Sequence, residues 1–409
     1  MMPNRRRFLA QSITTASALT WMLRSGYAAN DYETLFKTSD VSSSMPQLAP
    51  LRISHDRIIR KTVGLRPFRT EGPNLSVERL NEKTVCHNYG HGGSGWSLSW
   101  GSSKLAVDNA LKTGADRFAV LGCGALGMTT AILLLRRGKQ VTIYAKEQHP
   151  RITSSVATGV WSPESRFCLK EFESPEKESF WASMCLESYN AYQFLVGLPG
   201  NPVEWADNYF VSDKSREQRK EEREAFYAAN PTEPRFAHFE NLAKELSPKS
   251  EDLADPVSPF QKPYVSKNRR MLFNISAYSK YLMDEIRLNG GKIVEQTFRS
   301  KDELALLPES TLVNCTGLGS KNLFGDEKMV PVRGQLVALI PQPEVNYGLS
   351  TDDAYMLPRR DGILLGTSRN GNYGSTDLSV NEEQTDLAIM ALRDAAAALK
   401  VEARNLAAA

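Results

Sequence analysis

Arg117-Phe118-Ala119-Val120-Leu121 is a short apolar run of the kind that forms a strand buried on both faces. Gly122-Cys123-Gly124-Ala125-Leu126-Gly127 follows as a glycine-rich turn, and the apolar stretch from Met128 to Arg137 has the length of a helix. Gly138 marks its end, and Gln140-Val141-Thr142-Ile143-Tyr144 predicts a second strand. Further along, Ser179 to Leu195 has amphipathic spacing and predicts a helix. Lys214 to Glu224 mixes charges of both signs at helical spacing, the pattern of a solvated helix face held by i,i+4 pairs. Arg270 to Phe298 reads as strand, helix (Ala277 to Asn289), a Gly290-Gly291 break and a further strand. Strands alternating with helices predict an α/β fold.

The strand, turn, helix and strand over 117–144 are the setting a dinucleotide requires. Gly122 permits the tight turn, and Gly124 lets the backbone approach a pyrophosphate at the helix N-terminus. Gly127 allows helix and strand to close on each other, and Ala125 and Leu126 lie inside the same turn. The second strand should end in an acid that holds the adenosine ribose. Here Tyr144-Ala145-Lys146-Glu147 puts a lysine first, with Glu147 lying 20 residues beyond Gly127. Lys146 would instead suit a 2′-phosphate and NADP, so the ribose contact stays open between the two.

Composition narrows the class. The 409 residues are 41% hydrophobic and 24% charged, close to a soluble globular average, and the length suits two to three domains or one large two-lobed unit. The net charge of +3 is owed to the start of the chain: residues 1–28 hold Arg5, Arg6, Arg7 and Arg24 and no acid, which leaves the remainder at −1. A near-neutral remainder predicts no nucleic-acid partner. Five cysteines are too few and too odd for a disulfide scaffold, and no Cys/His spacing predicts a metal. Asn4 to Leu9 is basic, Ala10 to Leu23 is uncharged, and Gly26-Tyr27-Ala28-Ala29 supplies small residues for cleavage. Arg5-Arg6 followed by Phe8-Leu9 resembles a twin-arginine export signal, which implies bacterial export, periplasmic or beyond, through that machinery. Residues 30–54 read as a linker.

After the second strand comes Thr153-Ser154-Ser155-Val156-Ala157-Thr158-Gly159-Val160-Trp161-Ser162-Pro163, a hydroxyl-rich loop able to lay backbone N–H groups against a flat ring or phosphates. This loop, following Tyr144-Ala145, resembles the flavin-binding region of the D-amino acid oxidase family. Leu312 to Gly317 resembles that family's strand beneath the flavin, and Arg333-Gly334-Gln335 its next turn. Ala354-Tyr355-Met356-Leu357-Pro358 and Leu364-Leu365-Gly366 resemble the strands above the ring. The family then closes with a substrate-arginine strand and a glycine-rich cofactor turn. Their counterparts here stand before the nucleotide turn, in Arg57 to Arg69 and in His87-Asn88-Tyr89-Gly90-His91-Gly92-Gly93-Ser94-Gly95-Trp96-Ser97-Leu98. The following stretch, Trp100 to Leu111, resembles the last helix. The chain is therefore identified as a circularly permuted member of the family. The expected fold is a two-lobed α/β unit: a Rossmann-type FAD-binding domain (55–165 with about 299–332) and a mixed-sheet substrate domain (166–298 with about 333–400). Residues 111–117 would bridge the family's old termini, and Ala409 would finish near Arg57.

The resemblance implies FAD as cofactor and a D-amino acid as substrate, with hydride passing from the α-carbon to the flavin, an imino acid as product, and oxygen (giving hydrogen peroxide) or another compound as electron acceptor. Flavin carries the hard chemistry, so positioning dominates and no protein base is required. Arg66 matches the carboxylate clamp, for which a guanidinium fork is suited. Tyr355 matches the tyrosine that joins it, and Gly93 the backbone carbonyl that accepts the substrate amine. Expected at the cofactor are Tyr144, Ala145, Lys146, Glu147, Thr153, Ser154, Ser155, Thr158, Gly159, Val160, Trp161 and Gly317 from the fingerprint strands and loop. Gly92, Gly93, Ser94, Gly95, Trp96 and Ser97 are expected there from the turn. His87 and His91 read as structural hydrogen-bonding groups, Cys123 and Cys315 as buried packing. Where the family often carries a second, lid tyrosine this chain has Thr351, then Asp352 and Asp353. If they point inward, acids at the entrance would disfavour acidic substrates and suit a basic or polar side chain, and Arg369 would do the reverse; the sequence leaves this open. Other readings are an oxidase of glycine or a modified amine, a non-catalytic flavoprotein, and an NADP dehydrogenase. No feature sets an oligomeric state.

Overall fold

The computed structural model describes residues 45–239, 244–368 and 372–400. The chain divides at Pro46/Gln47, and the fold described is that of the unit from Gln47 onward. The export signal at 1–29, most of the predicted linker, Arg369 and Ala409 lie outside the described residues.

In chain order the elements begin with β1 (Ile58–Arg69), β2 (Val77–Leu80), β3 (Lys83–His87), α1 (Gly95–Leu111), β4 (Arg117–Leu121), α2 (Ala125–Arg136) and β5 (Gln140–Ala145). Next are α3 (Pro175–Gln193), β6 (Val203–Ser212), α4 (Arg216–Ala229), β7 (Glu251–Leu253), β8 (Tyr264–Phe273), α5 (Ile275–Leu288) and β9 (Lys292–Glu295). The last are α6 (Lys301–Ala305), β10 (Thr311–Asn314), α7 (Gly319–Phe324), β11 (Met329–Leu339), β12 (Tyr347–Ser350), β13 (Ala354–Arg359), β14 (Gly362–Thr367) and α8 (Glu382–Ala397).

They build two sheets in an α/β fold. The six-stranded sheet runs β2-β3-β10-β4-β5-β9, parallel except for the edge strand β2. Its middle strands bury an apolar core, with Val85, Phe118 to Leu121, Leu312 and Val313 all buried, as a sheet covered on both faces demands. The eight-stranded sheet runs β1-β11-β14-β13-β12-β6-β8-β7, with only β12 and β6 parallel among its neighbours. Ligands at parallel sheets bind beyond the carboxyl ends of the strands. The turns after β4, β5 and β10 therefore place the site.

Sheet membership moves two predicted boundaries. β1, expected with the nucleotide lobe, pairs with β11 over its whole length in the eight-stranded sheet. β9, expected with the substrate lobe, pairs with β5 in the six-stranded sheet. Residues 47–54, within the stretch read as a linker, are packed: Ile53 is buried, Leu48 and Leu51 lie on the core under α8, and Gln342 bonds the Arg52 backbone in both directions. Arg333-Gly334-Gln335 lies within β11 rather than at a turn.

Local chemistry sets the helix starts. Ser174 accepts from the Lys177 N–H ahead of Pro175 at the start of α3, and Ser215 and Gln218 form a reciprocal capping box on α4. The charge-rich α4 has no buried residue. No described helix is long and apolar enough to cross a membrane.

Candidate active site

A cavity of about 550 Å³ opens at the carboxyl ends of β4, β5 and β10 and runs to the β1 strand at Arg66. Gly122 (φ +99°) stands where a Cβ would come within 2.6 Å of the Cys315 carbonyl oxygen, so the turn passes directly beneath the β10 end. A Cβ on Gly127 would lie 1.9 Å from the Gly122 carbonyl oxygen, which is why the third glycine closes helix against strand. The start of α2 has no side-chain cap and no acid in its first turn. Ser154 Oγ accepts the Ala125 N–H at 3.1 Å, and the other early N–H groups of the helix suit an anion. Lys146 and Glu147 both line the cavity at the end of β5, as do Gln296, Thr297 and Phe298 after β9. Turn glycines, an uncapped helix start and an elongated wall ending at Gly92 and Gly93 fit a dinucleotide such as FAD.

A second cavity of about 250 Å³ adjoins the first, sharing Arg66, Gly93, Trp96, Ala157, Thr158 and Gly334. Its floor is cut by two glycines. A Cβ on Gly334 of β11 would meet Arg66 Nη1 at 2.2 Å, and one on Gly366 of β14 would meet Tyr355 Oη at 2.3 Å. Gly64 pairs with Gly334, and Tyr355 pairs with Gly366 across β13 and β14. Arg66 on β1 and Tyr355 on β13 thus lie inward over the two strands between them and converge. Arg66 Nη1 donates to the Arg333 carbonyl oxygen at 3.1 Å. Burial lowers the Arg66 pKa, and the Tyr355 hydroxyl acts to raise it. A guanidinium in this setting favours an incoming carboxylate.

The structure separates the expected cofactor residues into wall and support. Gly122, Gly124, Ala125, Leu126, Tyr144, Ala145, Lys146, Glu147, Thr153, Ser154, Thr158, Gly92, Gly93, Gly95, Trp96 and Gly317 line the larger cavity, while Gly159 and Val160 line only the smaller one. Trp161 lines neither: its indole is buried against Tyr189 and donates to the Ser97 carbonyl oxygen. Gly127, Ser155, Ser94 and Ser97 are also support. Ser155 Oγ lies 2.9 Å from His149 Nδ1, Ser94 Oγ donates to the His91 carbonyl, and Ser97 Oγ accepts the Ser162 N–H. The cause at 95–97 is that α1 already begins at Gly95, so successive side chains turn by about 100° and only some face the cavity.

Cys123 and Cys315 are buried and also form cavity wall. His87 Nδ1 lies 3.1 Å from Asn314 Nδ2. His91 lines the cavity with Nε2 at 2.7 Å from Ser102 Oγ, and burial pushes its pKa down to about 3. Thr351, Asp352 and Asp353 line neither cavity. Thr351 Oγ1 accepts the Ala354 N–H within a turn, and Asp352 accepts from Ser212 Oγ and faces Arg219. Whether Asp352 and Asp353 face the substrate is open in the sequence; in the structure neither forms part of these walls.

Three residues went unread in the sequence. Arg359 donates from Nη1 to the carbonyls of Ala157 and Thr158 while paired with Asp361, and so pins the hydroxyl-rich loop. Arg166 and Arg270 line the smaller cavity beside Arg66. Neither sits in a periodic pattern that announces an inward-facing charge.

Residues 117–406 match the family described as FAD dependent oxidoreductase. The chain is 26% identical over 269 residues to a D-amino-acid oxidase of Dictyostelium discoideum, covering 65% of this chain and 69% of that protein. It is 28% identical over 264 residues to a D-amino-acid oxidase of Streptomyces coelicolor, covering 63% and 71%. Among solved structures, glycine oxidase from Geobacillus kaustophilus shares the fold, with a TM-score of 0.50 and 15% identity over 70% of this chain and 81% of that one. FAD is the cofactor that the turn, the uncapped helix start and the elongated cavity accommodate, and the chain belongs to the FAD-dependent oxidoreductase family.

Proposed function

We propose that this protein oxidises a D-amino acid to the imino acid. The observation that carries the reading is the convergence of Arg66 and Tyr355, over Gly334 and Gly366, in a cavity that adjoins the dinucleotide cavity. When bound, FAD supplies a two-electron acceptor for the α-hydrogen and its bonding pair. Arg66 holds the α-carboxylate through a charge-assisted fork and Tyr355 Oη donates to the same group. Gly93, in both cavity walls, offers its carbonyl to the substrate amine. Two anchors on the carboxylate and one on the amine fix the α-carbon, and the side on which the α-hydrogen points then decides the enantiomer. The relatives that carry the name D-amino-acid oxidase support the D series. With oxygen as acceptor the second product is hydrogen peroxide.

The segment order is that of a circularly permuted D-amino acid oxidase. Supporting this, the five residues between α1 and β4 bridge one helix to the nucleotide strand through a turn at Gly114 (φ +71°). At the other end the first turns of α8 lie beside the start of β1, with His55 Nε2 at 2.8 Å from Asp386 and Lys61 Nζ at 2.6 Å from Glu382, and Leu399 packs on the same core as Ile53 and Ile58. Close ends are what a permutation requires. The protein is exported folded by the twin-arginine route, with Arg5-Arg6 and Phe8-Leu9 as the signal.

Purified protein should release FAD on denaturation and form peroxide or reduce an artificial acceptor with D-amino acids. Released FAD without turnover of any D-amino acid would refute the reading. Export is checked separately: replacing Arg5 and Arg6 by lysine should block maturation, and unimpaired processing would remove the twin-arginine assignment.

A further inference from the structure

The smaller cavity is strongly cationic. Arg66, Arg166 and Arg270 contribute to its wall, and among the described residues no Asp or Glu does. Arg333 also contributes, but its guanidinium is spent on neutral acceptors: the Asp377 and Ser379 carbonyls, Gln335 and Gln384. Arg166 is different. Its Nη1 donates to Ser165 Oγ at 3.2 Å, its guanidinium lies over the Phe236 ring, and its Nε is buried without a hydrogen-bond partner. Its backbone is held at φ +51°, a region that large L side chains rarely adopt. Such outliers cluster where the surrounding structure imposes them for a site. Burial and the neighbouring Arg66 charge together lower its pKa to about 10. Two guanidiniums that repel each other in one cavity are stabilised when an anion lies between or beside them. Arg270 carries a third positive charge into the wall; Glu164 offsets part of that charge and is not a wall residue.

One carboxylate satisfies Arg66 and Tyr355. A second anionic group is needed for Arg166, and the volume of about 250 Å³ limits how far away it can sit. We propose that the substrate is a short dicarboxylic D-amino acid, whose side-chain carboxylate is bound by Arg166 with Arg270 while Arg66 holds the α-carboxylate. This deepens the proposed function and rests on it for the reaction, though not for the binding. The neutral amide of the same shape leaves Arg166 unpaired and is discriminated against, because a desolvated charge without its counter-charge is costly.

The test uses the FAD-loaded enzyme and two readouts. Steady-state rates with D-aspartate, D-glutamate, D-asparagine and D-alanine should give a kcat/KM for D-aspartate or D-glutamate exceeding that for D-asparagine by roughly 30-fold or more, the lower end for a buried charge pair that loses one member. In Arg166→Gln that ratio should fall by a similar factor, chiefly through KM. Calorimetric titration with succinate and with propionate reads the second anion site without turnover. Succinate should bind more tightly than propionate, and Arg166→Gln should erase the difference. D-asparagine or D-alanine used as well as the acidic substrates, with succinate binding no better than propionate, would overturn the dicarboxylate proposal and leave D-amino acid oxidation standing. Tight, Arg166-dependent succinate binding without oxidation of any D-amino acid would instead refute the oxidase reading and uphold the second anion site.

Discussion

Arg66 and Tyr355 line one cavity together because Gly334 and Gly366 leave the strands between them bare. The consequence is that a methyl group on the floor should mimic loss of the clamp. In Gly334→Ala the new Cβ would stand 2.2 Å from the Arg66 guanidinium. That group is the mobile end of a long side chain, so the fold should tolerate the change while the clamp moves. Arg66→Ala is expected to lose at least about 3 kcal/mol of apparent substrate affinity, the scale for a desolvated carboxylate left unpaired. Gly334→Ala should raise KM in the same direction with a near-normal melting temperature; unchanged kinetics in both variants would remove Arg66 from the site. His91 gives the pH signature at this scale. Its pKa falls from the ordinary 6.5 to about 3 on burial, so the unfolded chain takes up the proton first. Stability is then whole above pH about 6.5 and declines as pH falls toward 3, by up to roughly 1.4 kcal/mol per unit. Urea midpoints across that range should fall less steeply in His91→Gln than in the native protein.

Helix α1 shows what an element can conceal. Ser97, Ser99, Ser102 and Ser103 are fully or almost fully buried, and each has a partner: the Ser162 N–H, Tyr192, Asn88 with His91, and Thr129 with Thr130. The resemblance places this helix at 100–111 while the structure starts it at Gly95, because the first turns bury these hydroxyls beside Trp96, Leu98 and Trp100 and so lack a clean apolar period. The nucleotide turn was legible because its chemistry demands glycine at fixed spacing beside an apolar strand, and the strand 117–121 is found as predicted. Arg166 and Arg270 of the smaller cavity were illegible. Arg166 lies in an irregular segment and Arg270 on a strand, and burial in three dimensions is what gives each its meaning. Gly101 supplies the prediction for this scale. A Cβ there would lie 2.2 Å from the Met184 carbonyl oxygen, so α1 and α3 cross backbone to backbone. Gly101→Ala must push two helices apart and should cost roughly 1–3 kcal/mol, as overpacking does, read as a lower urea midpoint; an unchanged midpoint would contradict the close crossing.

Across the whole molecule the FAD cavity is built from segments far apart in sequence: the turn after β4, the loop after β5, the end of β10, and the Gly92-Gly93 turn that precedes them all. The proposed permutation predicts that the order is negotiable while the set is not. A gene that begins at residue 116 and joins residue 400 to residue 55 through a flexible linker should yield protein that still binds FAD, since Leu399, Ile53 and Ile58 pack on one core and a linker can span them. A soluble rearranged chain with a native-like melt but no FAD binding would count against it. The central claim, that this site holds FAD beside a clamp for D-amino acids, has a direct test. The FAD-loaded protein is mixed without oxygen with matched D- and L-amino acids, and the visible flavin band is followed. D-enantiomers should bleach the band rapidly, Arg66→Ala should slow this severely, and L-enantiomers should leave the band intact. Bleaching by L-enantiomers alone, or an intact flavin band with every D-amino acid, would contradict the claim.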